Sequence, residues 1–217
     1  MQGGLRMEAL RSCRFCDIAD GIYQYTGIDE PFLSNNEFIA VASIGALIEG
    51  WSLVIPKTHQ LSMRNVYGTS AFGSFLCSVL PSLLHRYGSL VAFEHGSNKE
   101  GSLTACGTNH AHLHLVPLGK SLLPELKNSG LPWIQCHASE IASTAGGQEY
   151  LFYSDLTVKE GWHNPTGYLH VLESPLSQFF RRLVAERARK QDAFDYRLFP
   201  EFDTARETRR ALSASVI

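Results

Sequence analysis

The segment HAHLHLVP, His110 to Pro117, places a histidine at every second position of a run that is otherwise apolar. In an extended strand successive side chains leave opposite faces, so His110, His112 and His114 share one face and Ala111, Leu113 and Leu115 the other. The apolar face enters a core. A rise of about 3.3 Å per residue sets alternate imidazoles about 6.6 Å apart, near enough to serve one ligand and too far for all three to bind one metal side by side. A row of imidazoles is expected rather than a cage.

The segments around this strand read as its partners. FIAVAS (Phe38 to Ser43) and WSLVIP (Trp51 to Pro56) have strand character and are separated by a turn containing Gly45 and Gly50. Between Thr69 and Tyr87, residues Phe72, Phe75, Leu76, Val79, Leu80, Leu83 and Leu84 recur at three- and four-residue steps, the stripe of an amphipathic helix, with Pro81 expected to kink it. LVAFEHG (Leu90 to Gly96) is the next strand, followed by a polar loop with Gly101 and Gly107. Strand, strand, helix, strand, strand predicts an α+β fold, an antiparallel sheet with a helix packed on one side.

After Pro117, glycine, proline and serine scatter through residues 119 to 147, which predicts a boundary: a core over residues 1–118 and an α/β elaboration over 119–217 packed against it. EYLFYS and GYLHVLE read as two further strands. Ser174 as N-cap with Pro175 at the first helical position predicts a helix from about Leu176 to Lys190. Its stripe of Leu176, Phe179, Phe180, Leu183 and Val184 faces protein, with Arg181, Arg182, Arg187 and Arg189 turned outward. DTARETRRALSA reads as a short final helix.

Composition narrows the function. The 217 residues carry a formal net charge of -2, so there is no global basic field, and a nucleic-acid polymer is not an expected partner. No apolar run approaches the roughly 20 residues that span a bilayer, and MQGGLRMEALRS lacks the apolar stretch of a secretory signal; a cytoplasmic protein without membrane association is expected. Five cysteines, an odd number, argue against a disulfide framework.

Two of those cysteines, Cys13 and Cys16, form a CxxC pair that can present two thiolates to one zinc ion. His59, just after a strand, and His110 are candidates to complete a tetrahedron; four protein ligands would make the site saturated and structural. A pair of free cysteines remains the alternative, and the thioredoxin-like context of a redox CxxC is missing. His112 is a competent nucleophile toward phosphorus if its second nitrogen is held by an acceptor. His114 and the turn residues Gly107, Thr108 and Asn109 are placed to donate to phosphate oxygens. His85, His137, His163 and His170 read as ordinary structural or surface histidines.

HAHLHLVP, together with LVIPKTH and the N-terminal CRFCDI, resembles the histidine-triad superfamily of nucleotidyl hydrolases and transferases over roughly residues 12 to 118. The resemblance implies a half-barrel antiparallel sheet that binds a nucleotide, with His112 attacking the α-phosphate to give a covalent nucleotidyl-histidine and His114 orienting the phosphate. It is similar to the zinc-containing branches, which implies Cys13, Cys16, His59 and His110 as ligands. Family members commonly carry an acidic ribose-binding residue where this chain has Ser43. Glu94 stands where an asparagine is common, and Gly107 where serine is common. SPLSQFFRR is similar to segments of longer triad-type hydrolases, which brings Gln178 and Arg181 forward as substrate contacts. The implied activity is hydrolysis of a dinucleoside polyphosphate or nucleotide conjugate. The alternatives are a nucleotidyltransferase or phosphorylase using the same intermediate, or a zinc-stabilised nucleotide-binding module with little turnover. A homodimer through the long helix and its neighbouring strand is also implied.

Overall fold

The computed structural model describes residues 13–156, 162 and 165–214. The N-terminal stretch through Ser12 and His163 lie outside the described residues. In chain order the elements are α1 (Arg14–Ala19), β1 (Leu33–Ser34), β2 (Phe38–Ala42), β3 (Ser52–Pro56), α2 (Ser70–Tyr87), β4 (Leu90–Gly96), β5 (Leu113–Val116), α3 (Leu123–Asn128), β6 (Ile134–His137), α4 (Ile141–Ala145), β7 (Tyr150–Leu156), β8 (Thr166–Val171), α5 (Phe179–Arg187) and α6 (Phe202–Ser213). The strands form one sheet in the order β1-β2-β3-β5-β4-β7-β8-β6, every neighbouring pair antiparallel. The strands after residue 118 therefore extend the same sheet, with β7 paired to β4 from Leu90↔Leu156 to Gly96↔Tyr150.

Strands β2 and β3 are buried at every position, without the alternation of a half-solvated sheet, because both faces are covered. On one face Ala40, Val54, Ala92, Leu113, Leu115 and Phe152 meet the buried stripe of α2. Thr69 caps that helix by accepting from the Phe72 amide at 3.3 Å, and Gly88, at φ +83°, ends it. The helix runs on through Pro81, whose missing N–H falls on the exposed side, where water can serve the Cys77 carbonyl. On the other face Leu53, Val91, Phe93, Leu151 and Tyr153 pack with Phe15 of α1 and Phe180 and Val184 of α5. The expected one-sided helix layer is thus two-sided.

Two local expectations are corrected. The helix predicted from Leu176 starts at Phe179, after Gln178 in the left-handed region at φ +57°. Tertiary bonds hold the preceding segment out of helix: the Leu176 amide donates to Thr104 Oγ1 (3.2 Å) and the Gln178 amide to Cys106 Sγ (3.1 Å). The histidine strand is also shorter than its pattern, since β5 begins at Leu113 and the Ala111 amide donates instead to the Gln60 carbonyl at 2.6 Å. His114 lies in the sheet, opposite Leu53 and Phe93, while His110 and His112 precede it.

Candidate active site and metal centre

The three histidines divide between two sites, and the partner of each ring fixes its tautomer. A carbonyl can only accept and an indole N–H can only donate. His110 Nε2 lies 2.8 Å from the Pro56 carbonyl and must carry the proton, which leaves Nδ1 as a lone-pair donor. That nitrogen faces Cys13 Sγ at 3.2 Å and Cys16 Sγ at 3.5 Å, and Cys16 Sγ lies 3.3 Å from His59 Nδ1. The four ligand atoms all lie within 4.8 Å of one another. Tetrahedral zinc with its usual bond lengths sets ligand atoms about 3.3–3.8 Å apart, so the set fits the ion. Burial and then the neighbouring Cys13 thiol push the Cys16 thiol up to about 11, and burial pushes His110 down to about 4. Two thiols and two imidazoles at contact distance are what a dication would convert into ligands.

His112 has the opposite tautomer. Its Nδ1 donates to the His110 carbonyl at 2.7 Å, so Nε2 is the unprotonated nitrogen. His114 Nδ1 accepts the Trp51 indole N–H at 3.0 Å, so its Nε2 bears the hydrogen. The two rings lie 4.7 Å apart and both line a cleft of about 50 Å³ together with Arg14, Ser43, His95, Cys106, Thr108, Arg181 and Tyr196. A water needs about 10–15 Å³ by the same measure, so the cleft has room for a phosphoryl-sized anion. Burial lowers the basicity of His112, and lowers that of His114 further, with repulsion from His112, His95 and Arg181 added. Both rings are held neutral.

Arg181 supplies the positive charge. Contrary to the outward orientation expected of it, its side chain is buried: Nε donates to the Phe194 carbonyl (2.7 Å) and Nη2 to the Gly45 carbonyl (2.8 Å). The guanidinium lies 4.9 Å from the Trp51 ring centre. No ion pair joins it among the described residues, and burial lowers it to about 10, still a cation at neutral pH. A buried cation without a carboxylate is an anion site in waiting. Gly45, at φ +74°, permits this approach, because a Cβ there would meet Tyr196 Cβ at 2.3 Å and Arg181 Nη2 at 3.0 Å.

Among the other residues singled out from sequence, Ser43 and Thr108 line the cleft; the Ser43 hydroxyl donates to the Ile44 carbonyl, and Thr108 Oγ1 lies 3.5 Å from the Tyr196 hydroxyl. Gly107 sits beside them at φ +89° with the Tyr196 hydroxyl 3.3 Å from where a Cβ would be. Asn109 does not join the cleft, since its Oδ1 accepts from the Gly101 amide at 3.0 Å and braces the loop. Gln178 is buried behind the cleft rather than in its lining. Glu94 is the clearest correction. It lies on the α2 face of β4, where its carboxyl accepts from the Met63 amide and the Tyr67 and Tyr150 hydroxyls, each at 2.6 Å. The alternation of the strand turns its neighbour His95 to the cleft instead.

No family model matches the chain, and no curated protein matches it. Solved structures do. The likeness is to histidine-triad proteins. A hypothetical histidine triad nucleotide-binding protein from Sulfolobus tokodaii strain7 is 19% identical over 48% of this chain and 68% of its own, with a TM-score of 0.36. A Zn-bound histidine triad family protein from Mycobacterium smegmatis is 22% identical over 49% and 74%, at 0.34. A HIT family protein from Bacillus anthracis str. 'Ames Ancestor' is 22% identical over 62% and 97%, at 0.35.

Several residues of the site carry no motif. Arg14 and Phe15 sit between the two cysteines, and Phe15 packs edge-on to His110 and His112 at 5.8 and 5.3 Å between ring centres. The CxxC spacing that brings two thiols to one point therefore also delivers these two side chains to the cleft. Trp51, Cys106 and Tyr196 are brought in by pairing and packing alone, while His95, a pocket residue by its place beside Glu94 in the sequence, does line the cleft.

Proposed function

We propose that this protein is a nucleotide phosphohydrolase of the histidine-triad type, cleaving a dinucleoside polyphosphate or nucleotide conjugate through a covalent intermediate on His112. The observation that carries the reading is the pair of opposed tautomers. The His110 carbonyl holds the proton on His112 Nδ1 and leaves Nε2 as a nucleophile, while Trp51 leaves His114 Nε2–H as a donor, both at one cleft. A phosphoryl group bound there has its oxygens met by the His114 N–H and the Arg181 guanidinium, stabilising charge as it develops. His112 Nε2 attacks phosphorus, the bond to the leaving group breaks, and the leaving phosphate departs as an anion. The positive charge left on His112 is stabilised by its bond to the His110 carbonyl.

Cys13, Cys16, His59 and His110 would hold a zinc ion with four protein ligands and no open position, a structural role. The ion would tie α1, and with it Arg14 and Phe15, to the segment that carries His112. None of the five cysteines is in a disulfide, in keeping with a reducing compartment such as the cytoplasm. Among the described residues no helix is long and apolar enough to cross a membrane.

The test is His112→Asn. Quenching the parent with dinucleoside polyphosphates and the p-nitrophenyl ester of AMP, then weighing the intact chain, is expected to reveal a nucleotidyl adduct. The variant is expected to bind zinc and fold but to show neither adduct nor turnover. Turnover persisting in the variant refutes the covalent reading.

A further inference from the structure

The cleft contains an imidazole that the first half-reaction does not use. His95 lies on β4, two residues beyond Phe93, on the same face of the sheet as His114. Its Nε2 is buried and has no hydrogen-bond partner among the described residues. Aromatic rings position it: Phe93 edge-on at 6.3 Å and Phe180 at 5.2 Å between centres. His112 and His114 are each locked in one tautomer by a neighbouring polar group, whereas no group among the described residues fixes the proton on His95 Nε2. An orphaned buried nitrogen on a side chain that lines a polar cleft can be satisfied by what enters that cleft.

We propose that His95 is the catalytic base of the second half-reaction, taking the proton from the water that cleaves the nucleotidyl-histidine. The proposal rests on the covalent reading above. Water oxygen attacks phosphorus, its proton passes to His95 Nε2, and the phosphorus–nitrogen bond breaks with its electron pair returning to His112 Nε2. His112 is regenerated neutral with its Nδ1 proton in place, and His95 then releases the extra proton to solvent. Atoms and charge balance as the hydrolysis of one phosphoryl bond.

The two triad imidazoles of the cleft cannot take this part. His112 Nε2 is bonded to phosphorus at that stage. His114 already bears its hydrogen on Nε2, and its Nδ1 is occupied by the Trp51 N–H. Arg181 is a cation, and the Ser43 hydroxyl is not basic. Burial above all pushes His95 down to about 3, so its lone pair is free at neutral pH.

The experiment is rapid mixing of the zinc-loaded parent and His95→Gln with the p-nitrophenyl ester of AMP. Coloured p-nitrophenolate reports the first step and AMP the second. The variant is expected to release about one equivalent of p-nitrophenolate per chain at the parental rate, and then to turn over about 10²- to 10⁴-fold more slowly, the usual contribution of a positioned base. Its chain should gain the mass of an adenylyl group on His112. Azide, an acceptor with no proton to lose, should restore turnover. His95→Asn, which is smaller and makes no steric demand, is read in the same way if the glutamine variant does not fold. Steady turnover within about threefold of the parent overturns the proposal, as does equal slowing of both phases with no adduct. Failure of the covalent reading shows separately, as turnover retained in His112→Asn.

Discussion

Replacing Trp51 by Phe tests the tautomer argument at its most exposed point. Trp51 is fully buried, and its indole N–H is the group that holds His114 as an Nε2–H donor, at 3.0 Å. Phe keeps an aromatic ring beside Phe93, whose centre lies 5.9 Å from that of Trp51, but it has no N–H. A buried acceptor stripped of its partner costs about 1–3 kcal/mol. If all of that bias acts on the transition state, the ceiling is a fall of about 5- to 150-fold in kcat, since 1.36 kcal/mol is tenfold. Because free imidazole retains part of the Nε2–H form, a fall of about tenfold is expected. The lost volume also lowers stability, by about 1–3 kcal/mol or a few degrees in Tm. The assay is steady-state hydrolysis of the p-nitrophenyl ester of AMP well below the new Tm, with nitrogen NMR of the imidazoles reporting which nitrogen of His114 is protonated. A kcat within about twofold of the parent, with His114 shifted to the Nδ1–H form, would refute the claim that its Nε2–H serves catalysis.

Three further outcomes follow from other parts of the molecule. Purified protein should contain about one zinc per chain by elemental analysis, and Cys13→Ser or His110→Ala should lose it and lower Tm, because four closed ligands contribute folding energy directly. Arg181→Met removes the buried cation at the cleft; hydrogen bonds to charged groups contribute about 1.5–3 kcal/mol, so kcat/KM should fall about 10- to 150-fold while a neutral ligand is unaffected. Glu94 is a buried acid whose pKa burial raises above its ordinary value despite three donors. The folded chain therefore binds more protons than the unfolded one between the ordinary carboxylate pKa and the raised one. Thermal stability should fall as pH rises through that window, and Glu94→Gln should flatten the slope; a parental Tm that rises there would contradict it.

The strands and the long helix were legible because their apolar residues repeat with the period of the element that buries them, as in α2 and in the Leu113 to Val116 run. The start of α5 was not, because the Ser174–Pro175 signal is local, whereas the bonds that delay the helix come from Thr104 and Cys106, some 70 residues away in the chain. The burial of Arg181 is not legible for a related reason. On an isolated helix it belongs to the polar face, and only the Gly45 and Phe194 carbonyls make a buried position tolerable for it. Glu94 and His95 show the same limit on a strand: adjacent residues must leave opposite faces, but the sequence does not say which face holds the cleft when both are covered.

By itself, then, the sequence determined the chemistry available to this protein: two thiols spaced to meet at one point, alternating imidazoles, and an apolar frame of antiparallel strands. Tertiary structure alone decided how that chemistry is divided. The Pro56 carbonyl, the His110 carbonyl and the Trp51 indole assign a proton to one nitrogen of each triad histidine, and so separate a bare Nδ1 beside two thiols, a bare Nε2 and an Nε2–H donor. A histidine's two nitrogens are equivalent in sequence and become distinct only when a neighbour that can only give, or only accept, a hydrogen bond is brought against one of them.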